Sequence, residues 1–336
     1  MKSSHANHAQ SNNRSLYVLA VMIGVVLVAM AIVSPGNYYG VDNLRSMIFQ
    51  FPEYGLIAYG MMLAMMSGGI DLSLVGIANL AGIVAAKIML DMGGSGLSIA
   101  LSCLAALCVG CLCGLFNGFM IGQLRVPAML VTLCGLHLYT GLGLAITTGP
   151  ALNGLPEVFI QIANGSLGSF PNVLFIFAVV LAGIAFLMRC TVFGKQLLFM
   201  GSNNEASRYS GIDTLKVTLL TYMFSGILGS ISGLLISSHF GSAKSDYGSS
   251  YTLLSLLIAV LGGIHPDGGR GSVLGVTLSI LLLQLISNAF SVLEVDTTLK
   301  TFVYGLLLIG SLSFTALTAN RKPRRRRADA AAVKNG

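Results

Sequence analysis

The sequence predicts an all-α polytopic membrane protein with about ten transmembrane helices and both termini in the cytoplasm. The first observation is the composition: 54% of the 336 residues are hydrophobic and 9% are charged, whereas an ordinary soluble domain carries about 25% charged residues. The second is that the apolar residues form ten long runs. The third is an uneven distribution of Lys and Arg among the segments between these runs. Together the patterns indicate a chain whose main solvent is lipid.

The ten apolar runs have lengths suited to membrane crossing. A helix rises about 1.5 Å per residue, so about 20 apolar residues cross a hydrocarbon layer about 30 Å thick. Six runs are almost free of charge and span 17–34, 97–121, 172–188, 217–237, 273–290 and 301–317. Four more span 47–66, 74–90, 128–148 and 252–264, and the last of these is short for a full crossing. Because the first run ends without a cleavage pattern, we expect it to be retained as a helix.

The basic residues lie mainly on the side of the membrane that holds the N terminus. With ten crossings, that side has fifteen of the 19 Lys and Arg residues and the opposite side has three. The positive-inside rule therefore makes the first side cytoplasmic. Six of the fifteen follow the last apolar run, at Arg321, Lys322 and 324–327. Beside a membrane helix such a cluster is typical of contact with anionic lipid, so we expect a lipid partner and no nucleic acid.

The predicted organisation has three parts. A cytoplasmic tail spans 1–15, a transmembrane domain spans 16–318, and a basic cytoplasmic tail spans 319–336. The longest polar insert is the cytoplasmic loop 190–216, which is the predicted contact site for a cytoplasmic partner. The chain contains no G-x-x-x-x-G-K-[ST] phosphate loop, so any ATP chemistry must come from another subunit. No pattern of nucleophile and base indicates an enzyme.

One transmembrane run carries glycine at every fourth position. This spacing places the glycines on one side of a helix, where a neighbouring helix backbone can approach closely. We call these residues the glycine ridge: Gly110, Gly114, Gly118 and Gly122. The same run holds four of the six cysteines, but no His or acidic residue shares it. We therefore expect the cysteines to pack as small apolar residues and predict no metal site.

Five polar residues in or beside the apolar runs are candidates for lining a solute pathway: Asp71, Ser73, Asn79, Asn117 and Asn288. An acid at membrane depth is a candidate functional residue by default. However, Asp71 and Ser73 can equally serve to start the next helix, and Asn117 can equally form a hydrogen bond between helices. The sequence leaves both interpretations open.

The remaining ionisable residues favour structural roles. Lys87 and Asp91 are four residues apart near an outer helix end, which is typical of an ion pair on a helix surface. His137, His239 and His265 lie in three different segments with no acid at ligand spacing. This arrangement argues against both a metal site and a proton relay.

Two stretches resemble one family of transport proteins. Residues 69–73 read G-I-D-L-S, which is similar to a signature of the permease subunits of ribose, galactose, xylose and autoinducer-type ABC importers. Residues 191–194 read T-V-F-G and residues 201–212 read G-S-N-N-E-A-S-R-Y-S-G-I. These resemble that family's T-x-F-G loop followed by G-G-N-x-E-A-A-x-x-S-G-I. The likeness covers most of 47–317, and motif order and topology agree.

The resemblance implies the permease subunit of a bacterial ABC importer, located in the cell inner membrane and admitting a monosaccharide or similar small polar solute. It implies no cofactor in this chain, because ATP and Mg would be bound by a separate ATPase subunit. The other implied partners are a second permease subunit, identical or related, and a periplasmic solute-binding protein. The implied ATPase-coupling residues are Gly201, Asn203, Glu205, Ala206, Arg208 and Gly211. The alternative function is an ion-coupled secondary transporter, with Asp71 as its relay.

Overall fold

The computed structural model describes residues 2–168, 170–296 and 298–313, and it describes side chains from residue 16 onward. This part of the chain is helical apart from short loops and four two-residue strands. The helices are α1 (Lys2–Val33), α2 (Pro35–Tyr38), α3 (Val41–Met66), α4 (Leu74–Asp91), α5 (Gly96–Gly122), α6 (Ala128–Thr147), α7 (Glu157–Asn164), α8 (Asn172–Cys190), α9 (Val192–Ser202), α10 (Asn204–Tyr209), α11 (Thr214–Phe240), α12 (Tyr251–Leu261), α13 (Val273–Val292) and α14 (Thr298–Ser313). The strands are β1 (Leu152–Asn153), β2 (Ser166–Leu167), β3 (Phe170–Pro171) and β4 (Ser242–Ala243).

Seven of the described helices are long and apolar enough to cross a membrane: the Leu16–Val33 part of α1, α4, α5, α6, α8, α11 and α13. Helices α12 and α14 are apolar but shorter in the described part of the chain. Helix α3 has 26 residues and carries Pro52 and Glu53 in its interior. The prediction of an all-helical, multi-pass protein is confirmed. The ten crossings and the cytoplasmic termini stay predictions, and the basic tail at 319–336 lies outside the described residues.

Helix α3 forms the centre of the bundle, in contact with α4, α11, α12 and α13. Every residue of α3 from Pro52 to Met66 is buried. The outer helices, in contrast, expose large apolar side chains such as Val25 on α1, Leu112 on α5 and Phe175 on α8. Soluble proteins rarely present such extensive apolar faces to water. The distribution of polar and apolar residues therefore fits a bundle surrounded by lipid.

The glycine ridge of α5 lies against α11. A Cβ atom added at any of the four ridge glycines would lie within 3.0 Å of an α11 atom. At Gly114 the added atom would be 2.8 Å from the carbonyl carbon of Tyr222. On α11, Gly226 faces the ridge, and its added Cβ would be 3.1 Å from the carbonyl carbon of Gly110. Glycines on both helices therefore allow the two backbones to approach closely.

Helix α11 connects the two ends of the described bundle. Near its C-terminal end, β1 pairs antiparallel with β4, with Leu152 opposite Ala243. Helix α7 also packs there, because the hydroxyl of Ser238 donates a 2.6 Å hydrogen bond to the carbonyl oxygen of Phe159. Helix α11 starts immediately after α10, where Asp213 accepts a hydrogen bond from a backbone N–H of its first turn. The connections containing α7 and α10 consequently lie at opposite ends of the bundle.

Candidate functional site

The loop between α8 and α11 folds into two short helices, α9 and α10. Asn203 separates them, and its Oδ1 accepts a 2.9 Å hydrogen bond from the backbone N–H of Ala206. This is the bond of a helix N-cap. After α10, Gly211 adopts φ +80°, a left-handed conformation that glycine takes at little cost. The sequence thus contains its own start and stop residues for a helix of six residues.

One face of α10 is exposed. Glu205, Ala206 and Arg208 are all exposed, and Tyr209 is 90% exposed. Beside α10, Phe199 of α9 is also exposed. Aromatic and Arg side chains are enriched in protein-binding surfaces, and this face carries both. We call these five residues the α10 surface.

The end of α9 rests on two glycine-rich connections, those between α3 and α4 and between α12 and α13. A Cβ added at Gly201 would lie 2.5 Å from the backbone nitrogen of Gly269. That nitrogen in turn donates a 3.0 Å hydrogen bond to the carbonyl oxygen of Met66. A Cβ added at Gly268 would lie 2.7 Å from the Cα of Gly68. Because the three backbones touch without intervening side chains, a movement of α9 would bear directly on the end of α3 and on the connection between α12 and α13.

Three of the five pathway candidates lie together in a buried hydrogen-bonded cluster. One carboxylate oxygen of Asp71 accepts from the hydroxyl of Ser73 (2.6 Å) and from its backbone N–H (3.1 Å). The other oxygen accepts from the hydroxyl of Ser225 on α11 (2.7 Å). Asn117 donates to the hydroxyl of Ser73 (2.8 Å) and accepts from the hydroxyl of Tyr139 on α6 (2.8 Å). The cluster joins the residues immediately before α4 to α5, α6 and α11 through groups that bond one another.

The other two pathway candidates lie elsewhere. Asn79 on α4 donates to the carbonyl oxygens of Ser245 (2.9 Å) and Tyr247 (3.0 Å), and so holds the connection between α11 and α12. Asn288 lies on α13, is 8% exposed, and its amide nitrogen has no hydrogen-bond partner among the described residues. The five candidates therefore do not form a single site in this conformation.

A second buried cluster was not found by sequence reasoning. Glu53 of α3 is 1% exposed, and its carboxylate contacts Nδ1 of His239 near the end of α11. The hydroxyl of Tyr251, the first residue of α12, donates to the same carboxylate over 3.2 Å. Glu53 and His239 are 186 positions apart, so no local spacing pairs them. The sequence did contain one signal, because Glu53 is an acid within the apolar run 47–66. An acid at membrane depth is a candidate functional residue by default.

The remaining ionisable groups form no metal site in the described part of the chain, where no three His, Cys, Asp or Glu side chains converge as ligands. Lys87 and Asp91 form the expected ion pair, with 3.0 Å between Nζ and Oδ1 and both side chains at least half exposed. An exposed pair of this kind contributes about 0–1 kcal/mol. It therefore has little weight in an account of stability or function.

Residues 43–312 match the family model for the permease component of branched-chain amino acid transport systems. The chain belongs to this permease family. It is similar to the autoinducer 2 import system permease protein LsrC of Yersinia enterocolitica serotype O:8 / biotype 1B, with 30% identity covering 91% of this chain and 83% of the relative. The LsrC protein of Yersinia pseudotuberculosis serotype O:1b is 29% identical, with 91% and 85% covered.

Family membership confirms what residues 69–73 and 191–212 predicted: the chain is the permease subunit of an ABC importer and a multi-pass membrane protein. The family is a class of transport permeases, not a class of enzymes. Permeases of ABC importers work with an ATPase and a solute-binding protein. The ion-coupled secondary transporter, which was the alternative, is not favoured by these relationships.

Proposed function

We propose that this permease forms the translocation pathway for a monosaccharide or similar small polar solute across the bacterial inner membrane, together with a second permease subunit. The solute class is supported by the relatives, which are named as importers of autoinducer 2, and by the G-I-D-L-S motif at 69–73. A periplasmic binding protein delivers the solute to the side that carries α7. The chain crosses the membrane ten times, with both termini in the cytoplasm.

The α10 surface docks on the ATPase that binds ATP and Mg. The observation that carries this assignment is a capped six-residue helix whose exposed face carries Glu205, Ala206 and Arg208. Immediately before it, Gly201 of α9 meets the end of α3 and the connection between α12 and α13 at Gly269. A force applied to α10 would reach the membrane helices through these backbone contacts. Glu205 and Arg208 supply charges for hydrogen bonds to the partner, and such charge-assisted bonds are roughly twice as strong as neutral ones.

The test is the substitution Ala206→Arg. Ala206 is exposed, so the longer side chain does not disturb internal packing of this chain, but it does occupy space needed by a docked partner. We expect membrane insertion and abundance at wild-type levels, with loss of both solute uptake and ATPase co-purification. Uptake and affinity recovery of the ATPase are measured on the same membranes.

Ala206→Ser is the matched control, because it changes the same position with little added volume. It is expected to behave as the wild type in both assays. If Ala206→Arg also retains wild-type uptake and ATPase recovery, α10 is not the docking element. The secondary-transporter function, with Asp71 as its relay, would then have to be reconsidered.

A further inference from the structure

The second buried cluster lies where three helices meet. Glu53 from α3 and His239 from α11 are in direct contact, and the hydroxyl of Tyr251 on α12 is 3.2 Å from the other carboxylate oxygen of Glu53. The hydroxyl of Ser232 on α11 donates a 2.6 Å bond to the backbone carbonyl oxygen of Glu53. The carboxylate is therefore held in a fixed position by groups from two neighbouring helices.

The cluster continues onto α13. Tyr54, the next residue on α3, packs its ring edge-on against Tyr251, with 5.7 Å between ring centroids, and donates its hydroxyl to Oε1 of Gln284. Gln284 and Asn288 are four residues apart and so share one face of α13. Both are more than nine-tenths buried, and neither amide nitrogen has a hydrogen-bond partner among the described residues. Buried amide N–H groups nearly always bond to something in the functional protein.

An aromatic row leads from the cluster toward the α7 end of the bundle. The ring of His239 lies 5.9 Å from that of Phe49 and 5.0 Å from that of Phe240, and Phe240 stacks on Tyr247 at 4.9 Å. The side chain of His239 is 25% exposed, and Phe240 is more than half exposed. The buried carboxylate is thus connected to a surface at the end of the bundle assigned to the periplasmic side.

The chemistry of the cluster fits a solute with several hydroxyl groups. It offers a carboxylate acceptor, Tyr hydroxyls that can still accept, and two amide donors on one face of α13, next to the packed rings of Tyr54 and Tyr251. Small-molecule sites combine a few fixed polar groups with apolar and aromatic walls in this way. A hydroxyl group can donate to the carboxylate and accept from an amide. A solute without donors could not use the acceptor positions of Glu53 that His239 and Tyr251 leave free, and one without acceptors would leave the amide nitrogens of Gln284 and Asn288 without partners.

The same contacts also join α3, α11 and α12, but joining helices does not require a buried carboxylate. Apolar residues of similar size often give an equal or lower free energy of the folded protein in such positions, because burying polar or charged groups removes their hydration. Two buried amide nitrogens without partners add a further cost. Residues that lower stability in this manner are commonly retained for function.

We propose that Glu53, Tyr54, His239, Tyr251, Gln284 and Asn288 form a binding site for a polyhydroxylated solute within this subunit. The proposal rests on the permease function proposed above and gives it a recognition site. During binding, hydroxyl groups of the solute donate to the Glu53 carboxylate and accept from the amide groups of Gln284 and Asn288. Phe49, His239 and Phe240 line the approach from the periplasmic side.

The first test is Glu53→Gln, which keeps the size of the side chain but removes its charge and one acceptor oxygen. Uptake of labelled D-ribose, D-xylose, D-galactose and autoinducer 2 is measured in cells that contain the complete importer. We expect the KM of the transported solute to rise at least about tenfold, with abundance and ATPase recovery unchanged. The matched control is Tyr59→Phe, because Tyr59 also joins α3 to α13, through a 2.7 Å bond to Thr277, and lies outside the cluster.

The second test, Asn288→Leu, keeps the proposal falsifiable if Glu53→Gln folds poorly. Leucine has a similar volume and removes a buried amide without a partner, so the purified protein is expected to unfold at an equal or higher temperature. Uptake is nevertheless expected to fall. An unchanged KM in Asn288→Leu, or in well-folded Glu53→Gln, overturns the proposal and leaves a purely structural cluster.

Failure of this site is distinguishable from failure of the proposed function. Wild-type protein that retains its ATPase but takes up none of the four probes overturns the assignment of a polyhydroxylated solute. Wild-type protein that recovers no ATPase refutes the proposed function instead. A defect in Tyr59→Phe equal to that in Glu53→Gln would show that any lost bond between α3 and its neighbours impairs uptake, which also contradicts the proposal.

Discussion

The contact between α5 and α11 can be tested at Gly114. A Cβ at this position would lie 2.8 Å from the carbonyl carbon of Tyr222 and 2.9 Å from the Cα of Met223. Carbon atoms in favourable contact are about 3.5–4.0 Å apart, so the two helix axes would have to separate by about 1 Å. Both neighbouring atoms belong to the backbone, so no change of side-chain rotamer can relieve the overlap.

The free-energy change follows from two opposing effects. Overpacking of a well-packed contact costs about 1–3 kcal/mol, whereas replacing a helical glycine with alanine stabilises the helix by about 1 kcal/mol. Gly114→Ala is therefore expected to be destabilising by up to about 2 kcal/mol. Gly114→Leu places an isobutyl group in the same gap and is expected to cost more than Gly114→Ala.

The assay is the thermal unfolding temperature and the monodisperse yield of the protein purified in mild detergent. Gly183→Leu is the control, because Gly183 also lies within a membrane helix, α8, yet a Cβ there would have nothing within 4 Å among the described residues. Leu115→Ala on α5 tests loss of volume beside the ridge, and we expect it to be much milder than Gly114→Leu. Equal yields and unfolding temperatures for Gly114→Leu and Gly183→Leu would refute the account of the ridge as a tight helix contact.

Two further predictions concern orientation and the Asp71 cluster. With both termini in the cytoplasm, a C-terminal alkaline phosphatase fusion should be inactive and a green fluorescent protein fusion bright, and the reverse pattern would contradict either the ten crossings or their direction. Asp71→Asn should keep near-normal yield and uptake, because the amide can still hydrogen-bond to Ser73 and Ser225. Asp71→Leu removes the acceptor of the hydrogen bonds that both hydroxyls donate, while Ser73 still accepts from Asn117 and Ser225 still reaches the carbonyl oxygen of Gly60. With about 1 kcal/mol lost per bond, it should lower the yield. Loss of uptake in well-folded Asp71→Asn would instead indicate a proton relay.

The features that the sequence predicted well are those encoded by neighbouring residues. The cap at Asn203 and the left-handed turn at Gly211 act over three or four positions, and α10 lies between them. The periodicity of the glycine ridge is also a local pattern. It predicted that one face of α5 packs against another helix, but it did not identify that helix. The seven long apolar helices follow from hydropathy alone.

The features that the sequence could not predict depend on which helices become neighbours. The ridge meets Gly226 on α11, more than a hundred residues away in the chain. Gly229 and Gly233 on the same helix face α4 instead, since their added Cβ atoms would approach backbone atoms of Leu74 and Ala78. The pairing of Glu53 with His239 also depends on which helices become neighbours. Neither partner carries a local pattern that identifies the other, because the contact exists only after α3 and α11 have packed.

Helix α3 physically connects the two proposed functional regions, the α10 surface and the cluster around Glu53. The polar cluster begins at Glu53, and Met66, at the end of the same helix, accepts a hydrogen bond from Gly269 beside α9. These positions are thirteen residues apart, or about 20 Å along a helix. Every residue between them is buried, and closely packed interiors transmit displacement because they compress little. Pro52 lies immediately before Glu53 and cannot donate the helical hydrogen bond to the preceding turn, so the helix can bend there. A displacement of α9 and α10 by the proposed ATPase partner would consequently reach the proposed solute site through α3 as a rigid segment, and the bend at Pro52 allows the outer part of the helix to keep its place.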